Sequence, residues 1–220
     1  MKALAFKELR ELRGIAAMAL ACYVLLVAQL MGAKVLNTLP GMPPGTREIP
    51  FTGLDFLFSY TTVAVVLAIA LGLRQTAIES SRGTFLFLLH RPLSRNVILF
   101  TKMASGLGVF FVCATLPIVS YASWAAVPGR FPAPFWWSMT APAWWMMLVV
   151  PALYFGAFLS GLRPAHWFGT RLLPLAATAL AVVGVTMLPW KWSVGIPVAA
   201  LLDAALIACV CFVAGQRDYA

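Results

Sequence analysis

The residues able to do chemistry in this chain are few. Among 220 residues there are only seven acids and two histidines. Hydrolysis at a metal or a nucleophilic serine needs polar groups that converge, and neither H-E-x-x-H nor G-x-S-x-G occurs. His90 and His166 fall in polar turns, where a solvated or backbone-bonded imidazole is the ordinary state. The phosphate-cradling pattern G-x-x-x-x-G-K-S/T is also absent, so a P-loop ATPase is excluded within this chain. Cys22, Cys113, Cys209 and Cys211 lie in apolar runs, where cysteine packs as a small hydrophobe. Cys209 and Cys211 are two apart and leave a helix on different sides, which makes them poor co-ligands. The sequence thus predicts neither an enzyme nor a metal site nor a disulfide framework.

Two places remain where polar groups are out of keeping with their surroundings. Asp203 stands in the middle of GIPVAALLDAALIACV. A carboxylate at mid-membrane costs roughly 2.5–3.5 kcal/mol on insertion scales, so it needs a partner, a wet cavity or a proton. It is either a polar group on a transport path or subunit interface, or the acceptor of a structural hydrogen bond from Gln29, Ser59, Tyr60 or Thr178. Gln29 is the strongly polar interior residue of the first apolar run and shares the path-or-interface reading. The second place is residues 74–96, RQTAIESSRGTFLFLLHRPLSRN, the longest polar stretch. Within it Ile78, Arg82, Phe85, Leu86 and Leu89 recur at helical spacing. Pro92 stops that helix because the residue before proline is driven from helical angles, and Ser94 suits the N-cap of the next. The stretch reads as a short amphipathic helix, a turn and a new helix, exposing Glu79, Arg82, Arg91 and Arg95. It is either a docking surface or a solvated basic loop.

The elements that position these groups follow from composition. Hydrophobic residues make up 62% and charged residues 10%, and mean hydropathy is +0.90. Soluble domains carry about 25% charge, and a chain with so little cannot cover a water-facing surface. The expected fold is all-α: a polytopic membrane protein forming one transmembrane domain. At about 20 apolar residues per span, six spans fit, at about 15–36, 54–73, 103–127, 143–162, 172–189 and 193–214. Residues 1–14 read as an amphipathic interfacial helix, with Ala5, Leu9 and Leu12 on the apolar face and Lys2, Lys7, Glu8, Arg10, Glu11 and Arg13 around the rest. The charged start is too long, and the apolar run after it too long, for a cleaved signal peptide. Pro- and Gly-rich residues 37–53 and 128–142 read as loops, and Pro117 as a kink in the third span.

Charge orients this arrangement. Of 16 Lys and Arg, only Lys34, Arg47, Arg130 and Lys191 fall on the side away from the N-terminus. The positive-inside rule then places both termini and residues 74–96 in the cytoplasm. The same placement between spans explains the net charge of +9 and argues against nucleic acid as a partner. Tryptophan follows the same alternation of sides. Trp124, Trp136, Trp137, Trp144, Trp145, Trp190 and Trp192 fall at outer span ends, and Trp167 falls at an inner one. Indole prefers the headgroup level, so the outer group reads as an aromatic belt.

The run Glu79-Ser-Ser-Arg-Gly83-Thr84, then Leu88–Leu89, Pro92-Leu-Ser94-Arg95 and Lys102, resembles the loop between the second and third spans of ABC-2 type permeases. The opening KELRELR is similar to the interfacial helix at the start of such subunits. The likeness covers about forty residues in motif, and the whole chain in architecture. It implies the membrane subunit of an ATP-driven ABC transporter, an exporter of the cell (inner) membrane. Two permease subunits, the same or homologous, would form the path in the lipid bilayer. Separate ATP-binding cassette subunits would hold ATP and Mg, and this chain would carry no cofactor of its own. By the same resemblance residues 74–96 form the coupling helix, with Glu79, Arg82, Gly83, Thr84, Arg91, Pro92 and Arg95 meeting the ATPase. The outer helices that some members insert between the fifth and sixth spans are missing or much reduced here. The alternatives are a membrane scaffold or an enzyme component without transport activity; the first would not need such a loop and the second would need paired intramembrane acids or histidines.

Overall fold

Long apolar runs leave the backbone in a membrane no hydrogen-bond partner but itself. In the computed structural model every regular element among the described residues is accordingly a helix; those residues are 2–32, 49–51, 53–78, 95–129, 134–163 and 168–216. Helix α1 spans Lys2–Leu30 and α2 spans Leu54–Leu73, passing directly into a π-helical turn, Arg74–Ile78. Helix α3 covers Arg95–Ala125. A 3₁₀ turn, Trp137–Thr140, leads into α4, Ala141–Val149, and α5 follows at Pro151–Leu162. Helix α6 is Phe168–Thr186, and a π-helical turn at Lys191–Gly195 opens α7, Ile196–Gln216.

Six stretches are long and apolar enough to cross a membrane: Leu4–Leu30, Asp55–Ile78, Val97–Ala125, Trp137–Leu162, Gly169–Thr186 and Lys191–Gln216. The chain is a multi-pass membrane protein. The fourth span consists of α4 and α5 in line, joined at Val150 ahead of Pro151. An even number of crossings brings the start of α1 and the end of α7 to one end of the bundle, called here the termini end.

The helices differ in extent from the spans read by hydropathy. Helix α1 runs unbroken through Gly14 and stops at Gly32, whose φ of +93° ends it in the left-handed region that glycine tolerates. Hydropathy alone carries the first span on to residue 36. Helix α3 begins at Arg95, well before residue 103, and continues through Pro117. Hydropathy falls where charges begin, but the backbone ladder does not. A helix of 27 residues is about 40 Å long against a hydrocarbon core of about 30 Å, so its charged turns project beyond the core.

The fourth span is the axis of the bundle. Of its most apolar stretch 89% is buried, against 17% in the fifth span and 11% in the sixth. Every residue of α5 is buried. Its sequence, PALYFGAFLSGL, sets Ala152, Gly156 and Ser160 on one stripe and Ala157 and Gly161 on another. Small residues let backbones approach, which is how helices associate where lipid removes any hydrophobic preference. Gly72 of α2 meets this surface so closely that a Cβ there would lie 2.5 Å from the Tyr154 carbonyl oxygen.

Central placement of α4 and α5 also corrects the aromatic belt. Trp136, Trp137, Trp190 and Trp192 are exposed, as a belt requires, but Trp145 is only 1% exposed. Its six-membered ring lies against Gly195, and its indole N–H is buried without a hydrogen-bond partner among the described residues. Trp145 is a core side chain, because α4 packs into the bundle there and buries Ala143, Met147 and Val149 along with it. Trp124 and Trp144 are half-buried, and Trp144 donates to the Thr140 hydroxyl at 3.0 Å.

Candidate functional site: a buried polar cluster at the termini end

Four spans contribute to one polar cluster buried among apolar residues. Lys102 of α3 is 0% exposed, and its ammonium donates to Glu8 Oε1 of α1 at 2.8 Å, with Glu8 itself 1% exposed. Gln75, in the π-helical turn after α2, donates from Nε2 to the Lys102 carbonyl at 2.9 Å. The same amide approaches Glu8 Oε2 and Ser105 Oγ at 3.5 Å each. Tyr154 of α5 donates its hydroxyl to Gln75 Oε1 at 2.6 Å. Ser105 donates to the Lys102 carbonyl at 2.8 Å. The pair Glu8–Lys102 is thus charge-assisted and knit by an amide and a phenol into α1, α2, α3 and α5.

Local geometry makes each contribution possible. The wide turn at Arg74–Ile78 directs Gln75 and Thr76 inward, and both are buried. A π turn frees the carbonyl four residues back, and the Thr76 hydroxyl donates to it, at Gly72, over 2.9 Å. On α3, Gly106 leaves room for the phenol: a Cβ at that position would lie 2.5 Å from Tyr154 Oη and 2.6 Å from Gln75 Oε1. Gly106→Ala is therefore expected to destabilise by roughly 1–3 kcal/mol through overpacking. Thermal unfolding in detergent measures it, with Gly108→Ala, where a Cβ would meet nothing within 4 Å, as the control that has the same helix-propensity gain without the clash.

This cluster departs from the sequence expectation at several residues. An interfacial helix would turn Glu8 to its polar side with the other charges; in the structure Glu8 is buried. The signal is present in the register, because Leu4, Glu8 and Leu12 fall on one stripe that continues through Ala19, Tyr23 and Val27, all buried. Gln75 and Tyr154 carry no such signal. Nothing in their local sequence separates them from other polar residues at helix ends.

Of the coupling residues, Glu79, Arg82, Gly83, Thr84, Arg91 and Pro92 lie outside the described residues, as do His90, Ser94 and His166. Arg95 is the first residue of α3. The segment 79–94 is nevertheless flanked by the cluster, with Gln75 just before it and Lys102 shortly after it.

Asp203 stands at the centre of the sixth span, and its buried Oδ1 takes no hydrogen bond from the cluster. It shares the inward face of α7 with the buried residues Ala199, Val210 and Ala214. Its Oδ1 is buried and has no hydrogen-bond partner among the described residues. None of the suggested donors serves that oxygen: Thr178 donates to the Pro174 carbonyl at 2.7 Å, and the Tyr60 hydroxyl is itself buried without a partner among the described residues. Gln29 is half-buried near the far end of α1. The four cysteines are free, and among the described residues no group of three His, Cys, Asp or Glu could hold a metal.

The fold and this cluster define a six-span helical membrane protein whose termini end is cross-braced by a buried ion pair. Comparison with family models, curated proteins and solved structures returned no match.

Proposed function

We propose that the chain is the permease subunit of an ATP-driven exporter of the ABC type, working with a second permease subunit and separate ATP-binding subunits. The observation that supports this reading is the position of the cluster. Both flanks of segment 79–94 enter it, through Gln75 and Lys102, and it reaches α1 through Glu8 and the axial span through Tyr154. A displacement of the segment would pull on four spans at once, as a coupling element requires. The motif of Glu79, Gly83–Thr84, Pro92, Arg95 and Lys102 adds to this, as does the charge asymmetry that puts both termini and the segment in the cytoplasm of a cell membrane. ATP and Mg belong to the partner in this reading, since the chain has no P-loop.

The test is co-purification with candidate ATP-binding subunits, scoring ATPase activity with and without this chain. Truncating one side of a buried, hydrogen-bonded charge pair across an interface costs about 2–5 kcal/mol. Glu79→Ala or Arg91→Ala is therefore expected to lose the complex or its ATPase stimulation while membrane insertion is unchanged. If Glu79, Arg82, Arg91 and Arg95 all become Ala with complex and activity intact, the coupling role is wrong and the permease reading loses its support.

A further inference from the structure

A groove of about 470 Å³ opens between α5, α6 and α7. Its walls are Leu159, Pro174, Cys209, Phe212 and Val213, and Arg163 stands at one end. Each wall residue belongs to the half of its helix nearest the termini end: the last turns of α5, the first turns of α6 and the last turns of α7. The groove therefore runs within one leaflet. Phe212 is 63% exposed and Cys209 is exposed, so the groove faces outward from the bundle.

The mouth is basic. Arg163 follows directly after α5, is exposed, and donates to the Thr170 carbonyl at 3.4 Å. Arg171 reaches the same corner, donating to the Gly161 carbonyl at 3.4 Å. Two guanidinium groups thus gather at the C-terminal end of α5, where the carbonyls of the last turn favour cations. Arginine presents a planar fork of donors suited to phosphate. Apolar walls at acyl depth, closed by cations at headgroup depth, match one ligand chemistry.

We propose that this groove binds an anionic phospholipid of the leaflet at the termini end, one acyl chain lying along Phe212 and Val213 and the phosphate at Arg163. A zwitterionic lipid brings a phosphate whose charge its own choline balances, whereas an anionic lipid brings a net negative charge to the guanidinium corner. A soluble anion would use the corner and gain nothing from the walls. The inference depends on the spans and not on the transport reading.

The probes are phosphatidylglycerol and phosphatidylcholine with matched chains, added to the purified full chain in detergent. Retained lipid is read by native mass spectrometry and the unfolding midpoint by a thermal ramp. A basic residue near an anionic surface contributes about 1 kcal/mol, so phosphatidylglycerol is expected to be favoured about fivefold over phosphatidylcholine. Arg163→Gln should reduce the preference, and Arg163→Gln with Arg171→Gln should bring the two lipids level. The lipid-free midpoint should move little in Arg163→Gln, because Arg163 is exposed and its bond to the Thr170 carbonyl is long. Ala208→Trp, placing an indole in the groove from an exposed position of α7, should reduce retention of both lipids. Equal retention of the two lipids by the unaltered chain, or a preference that survives Arg163→Gln with Arg171→Gln, overturns the proposal. So does a spectrum in which a second copy of the chain, and no lipid, accompanies the protein and Ala208→Trp dissociates it.

Discussion

Glu8→Leu is expected to destabilise the folded bundle by roughly 3–5 kcal/mol, the cost of leaving a buried ion without its partner. Lys102, at 0% exposed, would keep its ammonium inside a wall of protein while losing the 2.8 Å contact that balances it. Lys102→Met should cost a similar amount, because the Glu8 carboxylate is then left behind. Glu8→Leu combined with Lys102→Met should restore most of the loss, since a buried ion pair replaced by apolar residues of similar volume is often neutral or better. The double-mutant cycle therefore gives a large coupling energy, read by thermal or denaturant unfolding in detergent. Tyr154→Phe removes one hydroxyl donor to Gln75 and should cost about 1 kcal/mol. Silent single variants, or a double variant as unstable as the two singles added, would show that the pair does not brace the bundle. If segment 79–94 couples to an ATPase, the restored double variant separates two roles. It should fold as well as the native chain yet respond less to the partner, because the charge-assisted link from α3 to α1 is gone.

Asp203→Leu is expected to move stability and activity in opposite directions. The buried Oδ1 has no partner among the described residues, at the centre of the sixth span. An acid at that depth costs roughly 2.5–3.5 kcal/mol on insertion scales, and leucine relieves that cost while adding apolar contact on an inward face. The unfolding midpoint should rise. A carboxylate kept at such expense marks a functional group by default in a membrane span, so stimulation of the partner ATPase by the reconstituted chain should fall. Asp203→Asn should be milder in both respects, since the amide is polar but uncharged. Full activity in both variants would make Asp203 a bystander. A lower midpoint in the leucine variant would mean that the carboxylate has a structural donor outside the described residues.

The class of this fold is legible because a bilayer makes secondary structure a local matter. Twenty apolar residues with no backbone partner but themselves must be helical, so α2 falls at Leu54–Leu73, where hydropathy places it. The number of spans and their alternation follow in the same way. Span ends are less legible: α1 and α3 carry their ladders without a break through charged turns, which the sequence reads as helical but sets apart from the spans. What one span does to another is not legible at all. Hydropathy does not say which span becomes the axis, because lipid is as apolar as leucine and the mean hydropathy of the fourth span lies inside the range set by the others. Small-residue stripes on α5 decide it, and that choice buries Trp145, which its position alone assigns to the lipid interface. It also sets Tyr154 against Gln75 and encloses Glu8 with Lys102, residues 94 positions apart, so that charges with the composition of a cytoplasmic face become a buried brace. Asp203 stands between the two cases. Its depth and cost can be read from one span, but its placement on the inward face, unserved by the donors that composition suggests, belongs to the packing of α7 alone.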